Sequence, residues 1–590
     1  MAVAQTWCRA TRRLRRKSYQ IYLALTPAWA NAAQWRELDV GVESSAHFLR
    51  TWQAWRADPQ RPRMLHVVAL CETTFLNSEF DSDLNPLAEQ LNAQLWGLLP
   101  GFHRLVFEAG QVLLTICIGP VQTLLRQQQF EADAVHLHRH MHQPASAAID
   151  TLHTVKAIAR LCRRGTCFSA THSDLALQAA LKQCGFETDA AHPLQAIYQP
   201  AWASKKSPRT AQPAALPGSC VVIGAGLAGA AVASSLARRG WAVTVLDAAS
   251  APASGASSLP AGLLVPHTSP DDGQLSRLSR CGVRITLQQA RAHLRHGTDW
   301  GHTGVLQRSL SAPINLPPHW AKSHAPAARD WCNSALPKTL AAAGLPSEST
   351  ALWHAQAGWI KPAALVNAWL ATPGVRWQGD AQVAQLQSAG DDWRVLDAGG
   401  QVLAQADLLV LSAGYASQAL AAAAGATPPD LQPVRGQATF GEQADSTPLP
   451  PFPVNGNGGL IPNITTPGNP LWLMGASYER DVAQPAIKPQ DHLENLQRLT
   501  TLLPQVADAL ADQFNPPTAQ GWAGVRCATP NRLPLVMPMQ TTSPAWLCTG
   551  MGSRGLTFAA LCGELLAAQL HGEPLPIDAA LATALMRQAK

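Results

Sequence analysis

Apolar runs at residues 64–70 and 112–118 are short and flanked by polar positions, which reads as buried strands. Residues 86–99 and 147–161 instead carry apolar positions three and four apart, the spacing of helices with one buried face. This alternation over the first 200 residues predicts an α/β domain built on a largely parallel sheet. Residues 201–217 lose all periodicity and are rich in Pro, Ser, Lys and small side chains, so they read as a linker. An apolar strand, a helical stretch and a second strand follow from residue 220, and from about 300 to 520 the chain turns to short strand-like segments interrupted by Pro and Gly. No fixed-period repeat is visible.

Composition sharpens this picture. A chain of 590 residues is too long for one core. With 14% charged and 47% hydrophobic residues it reads as globular, not disordered. No run of about 18 apolar residues suggests a membrane span. Arg12, Arg13, Arg15, Arg16 and Lys17 precede a short apolar run at 21–25, which imitates a secretory signal, but that run is too short and Pro27 ends it. The 12 cysteines are scattered with no C-x-x-C pair, as expected of reduced thiols in a cytoplasmic protein, and no metal site is expected from them. The net charge of +6 and the wholly basic charge set of the first 36 residues would suit a polyanionic partner, although charge alone favours a solvated basic arm.

Residues 220–247 form the most specific motif. An apolar strand runs into Gly224-x-Gly226-x-x-Gly229, a helix follows, and a second strand ends at Asp247. In such a unit the first glycine permits the turn, the second lets the backbone approach a pyrophosphate, the third allows close helix–strand packing, and the acid accepts ribose hydroxyls. The acid disfavours a 2′-phosphate, hence NADP, but leaves NAD and FAD open.

The segments that follow separate these two. Gly255, Ser257 and Gly262 lie in a glycine-and-hydroxyl loop after the second strand. Gly550, Gly552 and Gly555 form a second glycine-rich turn opening a helix near residue 556. This pairing resembles the FAD enzymes of the D-amino-acid oxidase superfamily. The segments 358–362, 433–437, 524–535 and 552–557 (GWIKP, PVRGQ, GVRCATPNRLPL, GSRGLT) further resemble the bifunctional tRNA 5-methylaminomethyl-2-thiouridine biosynthesis proteins, MnmC. The resemblance implies a Rossmann-like methyltransferase-type domain at 1–200, then an FAD-dependent oxidoreductase at 218–590. Its FAD-binding parts would lie at about 218–300 and 520–590, around an inserted α+β substrate domain at 301–519. It implies that the flavin half removes the carboxymethyl group from 5-carboxymethylaminomethyl-(2-thio)uridine at tRNA position 34. It implies too that the N-terminal half methylates the resulting amine from S-adenosyl-L-methionine. A guanidinium gripping the substrate carboxylate would orient this oxidation, with Arg526 as first candidate and Arg435 as second. Arg554, inside the glycine-rich turn, would position the flavin or cap the turn. Two rival readings are a free glycine, sarcosine or D-amino-acid oxidase and a non-catalytic tRNA-binding scaffold.

The N-terminal half departs from the family at its functional positions. Where the family reads E-T-G-F-G-x-G, this chain has Asp39-Val40-Gly41-Val42-Glu43-Ser44-Ser45, one glycine of three. A family Gly-Asp has become Gly119-Pro120, and the family's L-D-G-F-A-P turn appears as residues 137–142, LHRHMH. The expectation is a methyltransferase-like fold of uncertain competence, which would serve as a tRNA-docking platform if S-adenosylmethionine binding has gone. His136, His138, His140 and His142 read as exposed imidazoles replacing an active-site turn, not as metal ligands.

Overall fold

A computed structural model describes residues 29–30, 32–72, 84–138, 147–189, 191–202, 215–310, 315–321, 325–515 and 518–587. The basic N-terminal segment, most of the expected linker, His140 and His142 lie outside them. The chain divides into two compact units. The first comprises 1–95, 100–214 and 572–575, and the second 96–99, 215–571 and 576–590. The two short exchanged segments have no counterpart in the linear reading.

The first unit has an eight-stranded sheet. Its strands are β1 (Gln34–Val40), β2 (Met64–Cys71), β3 (Gly101–Phe107), β4 (Val112–Ile118), β5 (Ala132–Leu137), β6 (Cys162–Ala170), β7 (Phe186–Thr188) and β8 (Gln195–Tyr198), in the order β3-β4-β2-β1-β5-β6-β8-β7. The five from β4 through β6 run parallel, and β3, β8 and β7 are antiparallel additions at the edges. β2 and β4 are buried along their whole length, and each is apolar except for one polar residue, His66 and Thr115, the near-continuous pattern of strands buried on both faces. Helix α1 (Ala46–Ala57) leaves the C-terminal end of central strand β1, placing the turn 41–45 where α/β sheets bind their ligands.

The second unit opens with β9 (Ser219–Ile223), α2 (Leu227–Arg238) and β10 (Ala242–Leu246). These belong to a six-stranded sheet completed by β11 (Val375–Gln378), β12 (Leu408–Leu411), β13 (Leu535–Pro538) and β14 (Ala545–Thr549), in the order β11-β10-β9-β12-β14-β13, with only the last pair antiparallel. The central strands therefore come from both ends of the unit. Helix α3 (Gly555–His571) packs against α2 so closely that a Cβ at Gly563 would lie 2.8 Å from the Ala231 carbonyl oxygen. Beneath this contact Glu564 pairs with Arg238 and Arg239 and accepts a hydrogen bond from Ser235. A separate nine-stranded mixed sheet contains Gln432–Glu442 paired antiparallel with Gln520–Ala528, and it carries the expected substrate-side residues. None of the described cysteines is disulfide-bonded. Among the described residues no helix is long and apolar enough to cross a membrane.

Candidate active site

A cavity of 1120 Å³ opens in the second unit at the C-terminal ends of β9, β10 and β12. It is lined by Gly224, Gly226, Asp247, Gly255, Ser257, Gly262, Arg526, Gly550, Gly552, Arg554 and Gly555. Two segments more than 250 residues apart in sequence, the glycine loops before α2 and α3, thus meet at one space.

The glycines are required by contact. Gly224 has φ +110° and leaves no room for a side chain, because its Cβ would stand 2.6 Å from the Ser412 carbonyl oxygen. Gly229 does not line the cavity. It sits where a Cβ would come 1.9 Å from the Gly224 carbonyl oxygen, so it is the packing glycine of the motif. Gly229→Ala therefore has to push the loop out of shape. The expected outcome is protein that purifies without bound flavin, checked by the absorbance ratio of flavin to protein.

Asp247 braces the same loop: one carboxylate oxygen accepts the Ala225 N–H at 2.6 Å and the other accepts the Ala249 N–H at 2.9 Å. The Ser257 hydroxyl accepts the Leu227 N–H at 3.1 Å, which caps the first turn of α2. The N-termini of α2 and α3 both border the cavity, so two positive dipole ends face it. Main-chain N–H donors, glycine-lined walls and two helix starts fit a dinucleotide carrying a flavin that becomes anionic on reduction.

Arg526 reaches the cavity from the Gln520–Ala528 strand. Its guanidinium lies over Gly436 in the neighbouring strand, where a Cβ would come 2.3 Å from Nη1. Gly436 is thus a site residue that sequence reasoning missed, and the glycine beside an Arg in a strand was the available signal. Nη1 donates to the Ser477 carbonyl oxygen at 3.4 Å, and among the described residues no carboxylate pairs with Arg526. Burial pushes its pKa below the ordinary arginine value, with Tyr478 opposing, yet a guanidinium stays protonated. It is a half-buried cation with no carboxylate partner among the described residues, positioned at the wall of a ligand cavity. Arg554, also at the wall, is likewise shifted down by burial, with Arg532 adding to the effect.

Arg435 does not reach the cavity, which corrects its candidacy for holding substrate. It is fully buried, with Nη1 2.6 Å from Asp491 and 3.3 Å from Glu479, Nη2 donating to Gln437 at 2.7 Å, and Nε donating to the Ala486 carbonyl at 2.8 Å. Asp491 also accepts from the Ser477 hydroxyl at 3.0 Å. Arg435 therefore fixes the segment whose carbonyl meets Arg526.

Residues 219–569 match the family described as DAO, FAD dependent oxidoreductase. A protein of Polaromonas naphthalenivorans (strain CJ2) named tRNA 5-methylaminomethyl-2-thiouridine biosynthesis bifunctional protein MnmC is 51% identical over 584 residues, covering 96% of this chain and 91% of the relative. The chain belongs to the MnmC family. A protein of the same name from Polaromonas sp. (strain JS666 / ATCC BAA-500) is 52% identical over 594 residues, covering 96% of this chain and 92% of the relative. Glycine oxidase from Geobacillus kaustophilus superimposes with a TM-score of 0.50 at 18% identity, covering 63% of this chain and 98% of that one, a likeness of fold. As an MnmC member the chain is an FAD-dependent oxidoreductase fused to a methyltransferase-type unit, for which the family implies S-adenosylmethionine.

In that first unit the turn after β1 departs from a glycine cradle. Gly41 is retained at φ +76°, Val42 and Ser45 are buried, and Glu43 and Ser45 carry side chains at the two positions where the motif compared above has its other glycines. Behind this turn lie Glu37, Asp39, His47 and His136. Burial raises both carboxyl pKa values above their ordinary range and lowers the imidazoles, His47 to about 4 and His136 to about 3.

Proposed function

We propose that the second unit removes the carboxymethyl group from 5-carboxymethylaminomethyl-(2-thio)uridine at the wobble position of tRNA, in the cytoplasm, with Arg526 holding the substrate carboxylate. The observation that carries this reading is the half-buried Arg526, without a carboxylate partner among the described residues, at the wall of a cavity rimmed by two dinucleotide-type glycine turns. The relatives' name supplies tRNA as the substrate class. When bound, FAD accepts two electrons as hydride from the methylene carbon between the secondary amine and the carboxylate. The amine must be neutral for this, and its proton leaves to solvent. Water then adds to the resulting carbon–nitrogen double bond, releasing glyoxylate and leaving the aminomethyl group. Arg526 fixes the carboxylate by paired N–H donors, and this orients the methylene.

The test is anaerobic mixing with tRNA that bears the carboxymethylaminomethyl group. The flavin absorbance is expected to bleach, and tRNA lacking the group should leave it unchanged. Bleaching by glycine or sarcosine alone would move the assignment to a free-amine oxidase.

Methyl transfer, the family's other step, lacks its glycine cradle in the first unit. Isothermal titration with S-adenosylmethionine is expected to give binding weaker than about 100 μM, roughly −5.5 kcal/mol.

A further inference from the structure

Sheet register assembles four metal-ligating side chains at the head of the first unit. In β1, Glu37 and Asp39 are two apart and share a face. Asp39 pairs across the ladder with His136 of β5, which brings that imidazole onto the same face. His47, in the first turn of α1, covers them. One ligand atom from each of the four lies within 4.8 Å of all the others. His47 Nε2 is 3.5 Å from Glu37 Oε2 and 3.5 Å from Asp39 Oδ1, and His136 Nε2 is 3.9 Å from Glu37 Oε2.

The geometry points to a binding site for one divalent first-row transition-metal ion, of the zinc or cobalt type, held by Glu37, Asp39, His47 and His136. In a tetrahedral zinc site, bonds of about 2.0–2.1 Å place ligand atoms about 3.3 Å apart, so the closest observed separations need to contract only slightly. Two carboxylates and two imidazoles are a donor set for such ions, and the two anionic charges match a divalent cation. Without one, two acids share a dry pocket. Asp133, the further acid that acts on Glu37, is engaged by Arg36 and Arg163, 3.0 and 2.6 Å away, and the cation that acts on the cluster is Arg50, beside His47. Asp39 is 1% exposed, and its Oδ1, aimed into the cluster, accepts no hydrogen bond.

The surroundings orient the ligands as outer partners do in metal sites. His136 Nδ1 is 2.6 Å from the Ser169 hydroxyl, which turns Nε2 toward Glu37. Glu37 accepts from Trp35 Nε1 at 2.9 Å through Oε1 and from the Thr51 hydroxyl at 3.3 Å through Oε2. The site occupies the crevice at the C-terminal ends of β1 and β5, beside the turn that has lost its glycines.

The test uses full-length protein without a histidine tag, stripped with chelator and titrated with Co²⁺, whose visible bands report nitrogen and oxygen ligation, with Zn²⁺ competition and elemental analysis for stoichiometry. The expected result is one equivalent bound. Affinity should fall more than about 10-fold in Asp39→Asn, an isosteric change, and in His47→Ala, and about 10- to 100-fold in Ser169→Ala. Melting in chelator and flavin content serve as the folding controls. Wild-type protein that takes up no Co²⁺, or uptake undiminished in both Asp39→Asn and His47→Ala, would overturn the assignment.

Discussion

Arg526→Met is expected to lower kcat/KM for oxidation of the modified tRNA by about 10²–10³-fold while the protein stays yellow. The half-buried guanidinium has no anion of its own among the described residues, so the substrate carboxylate is what would neutralise it and close it from water. Losing one partner of a buried, hydrogen-bonded charge pair costs about 3–5 kcal/mol. The remaining carboxylate would be desolvated without a donor, so the loss should fall on both binding and turnover. Arg526→Lys keeps the charge but not the fork, and should recover only part of it. Stopped-flow reduction with the modified tRNA measures both steps. Wild-type rates in Arg526→Met would remove the residue from the site, and loss of flavin from that variant would give it a structural role instead.

The largest effect on stability is expected from Glu564→Ala. Burial alone would raise the pKa of this carboxyl, but Arg238, Arg239 and the Ser235 hydroxyl outweigh it and hold it well below the usual carboxylate range. Removing it leaves two cations, one of them fully buried, facing an apolar helix contact. A loss of about 3–5 kcal/mol follows, with flavin released at a lower temperature because α2 and α3 both border the cavity. The folded-state pKa lies below the unfolded value near 4.3, so the contribution is complete at neutral pH and fades as pH falls through the carboxylate range toward the folded value. Wild type and variant should therefore differ almost as much near pH 4 as at neutral pH, and their melting curves should approach one another only at lower pH, toward the folded value. A constant difference between them would place the stabilisation elsewhere.

The parts of the site that were legible in the sequence are the local ones. Gly224 to Asp247 is a single strand–helix–strand unit whose spacing already fixes which residue turns, which packs and which ends the strand. The glycine turn at 550–555 was legible for the same reason. Arg435 misled because an arginine within a glycine-containing strand has the same local appearance whether it faces a ligand or an acid, and its acid, Asp491, lies 56 residues further along the chain. The acid–histidine cluster was hidden for a related reason. Read linearly, His136 belongs with His138 and the imidazoles after it, but the β1–β5 register joins it to Glu37 and Asp39, about a hundred residues earlier. Periodicity assigns a residue to a face of its own strand and says nothing about which strand lies alongside.

Interleaving β12 and β14 beside β9 in one sheet also sets a timetable for biosynthesis. The N-terminal glycine loop emerges from the ribosome tens of seconds before its C-terminal counterpart, at ordinary translation rates. Through that interval the nascent oxidoreductase has only half of its flavin cradle and an open sheet edge. Cofactor loading therefore awaits the C-terminal turn, and a translation product stopped short of Gly550 is expected to remain colourless however much FAD surrounds it.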